Sequence, residues 1–535
     1  MSEAIRSYRP PRGGNYSGPG RPGGLIRWVA LISLAVGTLW LIWTTRDNCP
    51  VERVIPGNQT YYFQARDLLY SRQELAHSAL WETGLVPDAY AQIPTWMGNS
   101  FGYPDWVLNN LVSDVCYVSG TDFVAFSDLL VVTRMSRIGA LLERYHRFMD
   151  GIEDEHAGGL ALRRLENVDG YYAVRGRTLI FSPSRDAIVR ALTLRETDAI
   201  ETLETAGLDG VDDLEGRVAF SQDEPLGAYF EQADCRLDLA ATAIAFSSHA
   251  ILKPEWRAQF DALNLPKPRG EMSAPEHGGL VIAGDFGVPL ARVWDTLDQL
   301  TGNALQEAVV QFGPLDQLTA AEQEIALSAL QEMAGVLGDR FSIRLAGFDL
   351  DGMVPMPVLD VSLKPNLEGF NMLLPPPAPT DGTAAPEGVG PFVMGEDGVT
   401  RLPLGWGDIV EPSGFWAGND FHTVLHPYHV AMLTTQTMEQ ATVSEAKHMF
   451  MRVRPPELVE TLYEGAMIYA SLGMIRGQDE ASVEQYFAEI QQSAKRIPEL
   501  SAMLGYEDGV LSLEIRLALE SATPDQLAES MTTEP

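Results

Sequence analysis

The amino-acid sequence predicts an α+β fold: an N-terminal transmembrane helix followed by two related modules of antiparallel sheet covered by helices. Three observations predict it. An uncharged apolar stretch lies near the N-terminus, strands with alternating apolar and polar residues recur along the chain, and a strand–polar cap–helix unit occurs twice. Hairpin turns between alternating strands favour antiparallel pairing, with one face of each sheet wet and the other covered by helices.

Residues 25–45 are the predicted transmembrane helix, and residues 1–24 before them are a predicted disordered cytoplasmic tail, rich in Arg, Gly and Pro. No charged residue lies between Arg27 and Arg46. A helix over that run, at ~1.5 Å per residue, covers roughly 27 Å, close to the ~30 Å hydrocarbon core of a bilayer. The alternative is a cleaved signal peptide, but no small-residue cleavage site follows the run, which favours an uncleaved anchor.

The charges that flank this helix predict its orientation. Five arginines and one glutamate precede its uncharged run, whereas acidic and basic residues are mixed after it. Because arginine and lysine favour the cytoplasmic side, the bulk of the chain is predicted to be periplasmic, anchored in a bacterial inner membrane by its one helix. The whole chain carries a net charge of -35. An acidic body of this kind repels nucleic acid, which argues against nucleic acid as a partner.

The first module is predicted over residues 65–270, after a short stalk at residues 46–64. Within it, a strand over 177–181 runs through the polar cap Ser182-Pro183-Ser184 into a helix over 185–194. This compact unit is the pattern on which the comparison between the two modules depends.

The second module is predicted over residues 271–521. There an extended segment ending at Leu433 leads through Thr434-Thr435 into a further helix, which repeats the pattern though not the residues of the first unit. Residues 375–391 hold several prolines and glycines and are a predicted exposed loop. Residues 522–535 are a predicted flexible tail.

The clearest strand pattern lies near the end of the second module. Two helices, beginning near Pro456 and Ala481, precede it, and Asp508-Gly509 supplies a turn. Five apolar residues then alternate with polar or small ones: Leu511, Leu513, Ile515, Leu517 and Leu519. Period-two alternation predicts a half-buried strand with one wet face.

The chain has three cysteines: Cys49, Cys116 and Cys235. In an oxidising compartment Cys116 and Cys235 can form a disulfide that leaves Cys49 beside the membrane. The alternative is that Cys116 and Cys235 are buried free cysteines on separate elements. No CxxC motif occurs, so the spacing excludes a zinc knuckle.

Three of the nine histidines lie close together, at His422, His426 and His429. On one helix they would share a face and could surround a zinc ion, but Pro427 argues against a helix through all three. On a strand, His422 and His426 share a face and His429 points away. A metal site is therefore not favoured, and no cofactor is predicted. Signatures of serine hydrolases, zinc proteases and nucleotide-binding proteins are absent, so no catalytic residue is assigned.

Two aromatic-rich passages, one in each module, are the candidate interaction sites. Large rings on loops rich in Gly and Pro can form a groove for a protein partner or an apolar ligand. The alternative is that they close the ends of each module's core. The candidate residues are Trp96, Phe101, Tyr103 and Trp106 in the first passage, and Trp406, Phe415 and Trp416 in the second.

With its N-terminal anchor and units such as Leu179-Ile180-Phe181-Ser182-Pro183-Ser184, the chain resembles uncharacterised bacterial single-pass envelope proteins with repeated α+β modules. Those proteins form a domain family of unknown function, so the resemblance implies no catalytic residue. The function expected is that of a membrane-anchored, extracytoplasmic binding or scaffold protein without enzymatic activity, or an accessory subunit of an envelope complex. The alternative is an envelope hydrolase with a dispersed or metal-assisted active site.

Overall fold

The computed structural model gives a description of most of the chain after residue 48 and of one short segment before it. The described residues are 32–38, 49–66, 110–111, 115–122, 128–144, 152–165, 170–203, 208, 212–221, 226–240, 242–300, 338–349, 356–365, 393–394, 399–401, 411–417, 419–433, 439–475 and 479–520.

Strands dominate the described residues. Those of the first half are β1 (Tyr61–Arg66), β2 (Val115–Gly120), β3 (Leu130–Arg134), β4 (Ile152–Ala157), β5 (Leu160–Leu165), β6 (Gly170–Arg175), β7 (Thr178–Ser182), β8 (Leu214–Ala219), β9 (Phe230–Ala240) and β10 (Ala243–Leu252). Those of the second half are β11 (Gly270–Pro275), β12 (Leu280–Asp285), β13 (Arg340–Asp349), β14 (Met356–Leu363), β15 (Val393–Met394), β16 (Thr400–Arg401), β17 (Ser413–Ala417), β18 (Asp420–Val424), β19 (Gln440–Ala446), β20 (Met449–Val453), β21 (Glu499–Glu507) and β22 (Val510–Ala518).

Helices connect some of these strands. They are α1 (Arg137–Arg144), α2 (Arg185–Thr193), α3 (Pro254–Ala262), α4 (Leu290–Leu300), α5 (Pro427–Met432), α6 (Pro455–Ser471) and α7 (Glu480–Lys495), with 3-10 turns at Val51–Val54 and Leu226–Ala228. The Ser184 side chain caps α2 by accepting a hydrogen bond from the Ala187 N–H, and Asp479 caps α7 in the same way.

Among the described residues, twenty strands belong to one continuous antiparallel sheet, and β11 pairs with β19 in a separate two-stranded sheet. The pairings give the order β4-β5-β6-β7-β3-β2-β1-β8-β9-β10-β22-β21-β20-β12-β13-β14-β18-β17-β16-β15. The last described strand, β22, therefore lies in the middle of the sheet.

The strand order of one half repeats in the other. Counted inward from its edge, the first half reads β4-β5-β6-β7-β3-β2-β1-β8-β9-β10, and the second reads β15-β16-β17-β18-β14-β13-β12-β20-β21-β22. β10 is the last strand of the first order and β22 is the last strand of the second, and these two strands pair antiparallel with each other. The halves are thus arranged about a local twofold axis through that pairing.

One face of this sheet carries the two largest hydrophobic clusters, and we call it the packed face. In the first half its Val132 and Ile180 pack with Val54 of the first 3-10 turn and Ile188 of α2. In the second half β11 and β19 cover the packed face in a cluster that consists of Met272, Ala274, Val281, Ala283, Ala446 and Phe450. Ala283 of β12 and Phe450 of β20 are cross-strand partners inside the large sheet. β11 and β19 therefore cover the interior of the sheet rather than its edge.

The predicted fold class is wrong. The strands of the two halves join in one large, mostly antiparallel sheet instead of two separate modules covered by helices. In the part of the chain that the structure describes, no helix is long and apolar enough to cross a membrane. Of the predicted span 25–45, residues 32–38 are described, and they are helical with exposed side chains.

Several predicted segments lie wholly or partly outside the described residues: the tail 1–24, the loop 375–391 and the tail 522–535. Part of the predicted stalk is instead built into the folded body. Val51 and Val54 are buried in the first core, and β1 begins at Tyr61. The predicted module boundary at residue 270 falls at the first residue of β11.

Candidate ligand-binding face

The face of the sheet opposite the packed face is apolar, and we call it the open face because its side chains are only half-buried. Cross-strand neighbours form three rows over the eight adjacent strands from β9 to β14. The middle row is Leu237, Phe246, Ile515, Ala502, Met451, Ile282, Ile343 and Val361. The rows beside it are Leu239, Ile244, Leu517, Leu500, Val453, Leu280, Leu345 and Leu359, and Cys235, Ser248, Leu513, Leu504, Met449, Gly284, Phe341 and Leu363.

None of these residues is charged, and nearly all keep part of their surface exposed. The packed face at the same strands is different. Phe246 and Ile515 are cross-strand partners in the middle row. The next residue along β10, Ser247, points to the packed face, and its cross-strand partner on β22 is Glu514. Arg236 lies on the other side of Ser247. Around the twofold axis the sheet is therefore polar on the packed face and apolar on the open face.

Two helices bound the open face of the second half. At one end, Val293 of α4 packs in a buried cluster with Phe286 and with the open-face residues Phe341 and Met449. At the other end, Tyr469 of α6 meets Phe348 edge-on, with ring centroids 6.1 Å apart. Phe341 and Phe348 lie at the two ends of β13, so the helices stand roughly 20 Å apart along the strands.

The bounding helices add exposed apolar side chains of their own. Trp294 and Leu297 on α4 are 38% and 37% exposed, and Leu462 on α6 is 47% exposed. At Gly465 of α6 an added Cβ would lie 2.6 Å from the Phe348 ring, so only glycine lets the helix approach the sheet this closely. The open face between α4 and α6 is thus an apolar trough with a helix at each end.

The thiol on this face is neutral. The Sγ atom of Cys235 lies 3.5 Å from Ser248 Oγ. Burial, with a smaller contribution from the Asp234 carboxylate, raises the pKa of the Cys235 thiol. The side chain therefore behaves as a small apolar group in the row.

The candidate disulfide between Cys116 and Cys235 does not form, and all three cysteines are free thiols. Cys116 lies on β2 and Cys235 on β9, and β1 and β8 separate the two strands. Three strand spacings place the Cα atoms at least ~14 Å apart, whereas a disulfide needs about 7 Å or less. Cys49 is buried in the first core.

The three candidate metal-binding histidines do not converge. His422 is buried on β18, where its Nδ1 lies 2.9 Å from Asp360 Oδ1, and the other carboxylate oxygen accepts from Arg344 Nε at 2.9 Å. The Phe415 ring stacks on His422 at 5.2 Å. His426 instead caps α5 by accepting from the Tyr428 N–H. The buried trio of Arg344, Asp360 and His422 ties three strands together.

His429 lies in α5 and is almost completely buried. Its Nε2 is 3.3 Å from Asp349 Oδ2. Burial lowers the pKa of His429, an effect that Asp349 partly offsets and His426 reinforces. The imidazole is therefore held neutral near pH 7, and its protonation is disfavoured by folding.

We expect this histidine to make stability depend on pH. Because the folded pKa lies below the ordinary value of about 6.5, the unfolded state binds more protons in the window between the two values. The free energy of unfolding should therefore fall as pH is lowered through about 6.5. In His429→Gln, urea unfolding from pH 7.5 to 5 should show a flatter dependence than in the wild type. Equal slopes for His429→Gln and wild type would contradict the assignment.

Among the described residues, one group of three side chains has the spacing of metal ligands: Glu276, His277 and Glu439. His277 and Glu439 are exposed, and their nearest atoms are 3.8 Å apart. The Arg452 guanidinium donates to the Glu276 carbonyl oxygen at 2.6 Å, which places a positive charge beside the group. This arrangement favours a surface ion pair over a metal centre.

Two of the predicted aromatic interaction residues are described. Phe415 is turned to the packed face, where it covers His422, and Trp416 is 42% exposed and contacts Phe421 edge-on at 5.3 Å. The others, Trp96, Phe101, Tyr103, Trp106 and Trp406, lie outside the described residues. The open-face rows were missed from sequence, although the alternation in β22 displays three of their members: Leu513, Ile515 and Leu517.

Comparison with known proteins assigns no family. No family model matches the chain, and no curated protein matches it. Among solved structures, crystal forms III, IV and I of TP0453 are similar to it, with TM-scores of 0.25, 0.25 and 0.24 and 11% sequence identity in each case. These likenesses cover 41% of this chain and 89%, 86% and 88% of those chains. At such TM-scores they carry no argument about fold or function.

Proposed function

We propose that this protein binds an apolar ligand, a lipid acyl chain, on the open face of its sheet, and that it acts by binding rather than by catalysis. The observation that carries the proposal is the set of three uncharged, half-buried rows across eight adjacent strands. An apolar surface of this extent on a protein with net charge -35 marks a site that is covered when it works.

The chemistry of the rows favours an acyl chain over a protein partner. Aliphatic side chains dominate them, whereas protein interfaces are enriched in Tyr, Trp and Arg. A flexible hydrocarbon chain needs no directed hydrogen bonds, and the rows offer few polar groups. The trough between α4 and α6, roughly 20 Å long, has the length scale of an extended acyl chain.

The burial of an acyl chain supplies enough free energy for binding on this face. Each buried methylene contributes about 0.8 kcal/mol, so ten of them contribute on the order of 8 kcal/mol before the cost of association. A dissociation constant in the micromolar range, about -8 kcal/mol, is the corresponding expectation for a longer chain.

The alternative function, an envelope hydrolase that uses His422 and His426, has less support. His422 is 4% exposed and its Nδ1 is committed to Asp360, and His426 belongs to the cap of α5. A general base must reach the substrate proton, and His422 lies beneath the Phe415 ring.

The proposal is tested with the full chain and a dansylated undecanoic acid, whose fluorescence rises when its chain leaves water. We expect micromolar binding by the wild type and at least a tenfold weaker binding by Phe246→Gln, which puts an amide in the middle row. Ser247→Gln is the matched control, because it introduces the same side chain one residue away, on the packed face. It should bind as the wild type does.

A second variant helps to distinguish lost binding from lost folding. Ala502→Trp fills space over the middle row with a large, mostly apolar side chain, and thermal melting checks that each variant is folded. Absence of probe binding by the wild type, or equal affinity in Phe246→Gln, Ala502→Trp and wild type, would contradict an acyl-chain site on this face. In that case another segment of the chain or a protein partner covers it.

The periplasmic location inferred from the flanking charges, the bacterial inner membrane included, stays a prediction. The resemblance to envelope proteins and the accessory-subunit role likewise stay predictions. Fusion of alkaline phosphatase or of a cytosol-dependent fluorescent reporter to the C-terminus distinguishes the two compartments.

A further inference from the structure

A polar cavity of about 720 Å³ lies in the first half, away from the open face. It is bordered by the loop after the first 3-10 turn, the start of β3, α2 and the segment that follows α2, and it opens to solvent on one side. Its lining includes Asn58, Gln59, Thr121, Asp128, Arg190 and Asp198. The volume falls within the ~300–1,000 Å³ that is usual for small-molecule sites.

The charges that line this cavity balance. Asp128 and Asp198 carry negative charge, and Arg190 and Arg195 carry positive charge. The remaining polar groups are neutral amides and hydroxyls. In a protein with net charge -35, a lining without net charge favours a neutral, polar ligand over an ion.

Asp128 is fixed as a hydrogen-bond acceptor. Its Oδ1 accepts from the Thr121 N–H at 2.9 Å and its Oδ2 from the Thr121 hydroxyl at 2.6 Å, and Arg190 Nη2 is 3.9 Å away. Partial burial acts to raise the pKa of Asp128, but these bonds and the Arg190 charge lower it overall. The carboxylate is therefore ionised and held in place.

Gln59 supplies a second acceptor. Its backbone N–H donates to the Tyr62 hydroxyl at 3.0 Å, and that hydroxyl donates to the Pro56 carbonyl at 3.0 Å, which fixes the loop. Its side-chain Oε1 is buried and has no hydrogen-bond partner among the described residues. A buried acceptor without a donor costs about 1–3 kcal/mol. Because Gln59 lines the cavity, a turn of its side-chain amide brings Oε1 within reach of a ligand hydroxyl, which removes that cost.

We propose that this cavity binds a neutral saccharide of one or two rings, either free or at the end of a glycan. Sugar hydroxyls both donate and accept, so they match a site that mixes carboxylate and amide acceptors with guanidinium donors. Hydroxyls donate to Asp128 and to Gln59 Oε1, and Arg190 and Arg195 donate to hydroxyl oxygens. Bonds to the ionised groups are the stronger ones and fix the orientation of the ring.

The test is calorimetric titration of the full chain with a panel of neutral disaccharides and the matching pentasaccharides. We expect at least one disaccharide to bind. Binding of the pentasaccharide with equal affinity indicates a glycan end, and binding of the disaccharide alone indicates a free sugar. Gln59→Leu and Asp128→Asn should each weaken binding at least tenfold.

The matched control is Gln492→Leu, the same change on the exposed surface of α7, which should bind as the wild type does. Because Gln59 Oε1 has no bond to lose, Gln59→Leu should melt no lower than the wild type, which separates lost binding from lost folding. The proposal is overturned if no saccharide in the panel binds at millimolar concentration. It is also overturned if Gln59→Leu and Asp128→Asn bind like the wild type.

Discussion

Replacing Asp360 with alanine is expected to lower the free energy of unfolding by about 3–5 kcal/mol. Asp360 and Arg344 are each 1% exposed, and the carboxylate also holds His422. The two terminal nitrogens of Arg344 already have no hydrogen-bond partner among the described residues. Without Asp360 the guanidinium keeps its charge in the core with nothing to compensate it.

Urea unfolding of Asp360→Ala measures this cost, and Asp234→Ala is its control. Asp234 also pairs with an arginine on the neighbouring strand, at 2.7 Å from Arg217, but the two side chains are 38% and 30% exposed. A pair open to solvent contributes only about 0–1 kcal/mol. Similar losses in the two variants would show that the Arg344 pair is not buried as described.

Replacing Ile180 with alanine is expected to cost about 2–5 kcal/mol. Ile180 is 0% exposed on the packed face of β7, opposite Val132, and belongs to the first core. The substitution removes three carbons from a site that neighbours on α2 cannot refill without moving.

Leu179→Ala is the control, because Leu179 precedes Ile180 and points to the other face, where it is half-buried. Its loss should be clearly smaller in the same unfolding measurement. Since a shift of one residue would exchange the two faces, a larger loss for Leu179→Ala would contradict the register of this half.

Elements with strong local patterns could be predicted from the sequence. The alternation from Leu511 onward is β22, after a turn in which Asp508 and Gly509 have φ values of 50° and 88°. The unit around Ser184 is β7 followed by α2, with the predicted cap. In each case residues close together in sequence determine the structure, so local propensity is sufficient.

The conformation around Pro427 was predicted only in part from the local sequence. A helix through all three histidines is absent, as Pro427 indicated, but a helix does begin at Pro427 itself. Proline lacks the N–H that the first helical position does not use, so it suits a helix start. Strand β18 therefore ends before His426, and His429 enters the core on α5.

The single sheet and its open face could not be predicted, because they depend on pairings between distant segments. β10 pairs with β22 across about half of the chain, and β12 pairs with β20. Alternation in β22 shows that one face is apolar, but not which element covers it. The exposure of Phe246 or Ile515 is a property of the assembled sheet.

The central claim is that the open face binds an acyl chain, and photo-crosslinking tests it most directly. A fatty acid with a diazirine in its chain is irradiated with the full-length protein, and the labelled peptides are identified by mass spectrometry. We predict label on β10, β12, β20 and β22, at residues such as Phe246, Ile282, Met451 and Ile515, and loss of label when unlabelled fatty acid competes. Label confined to the packed face, or label that no competitor reduces, would contradict the account.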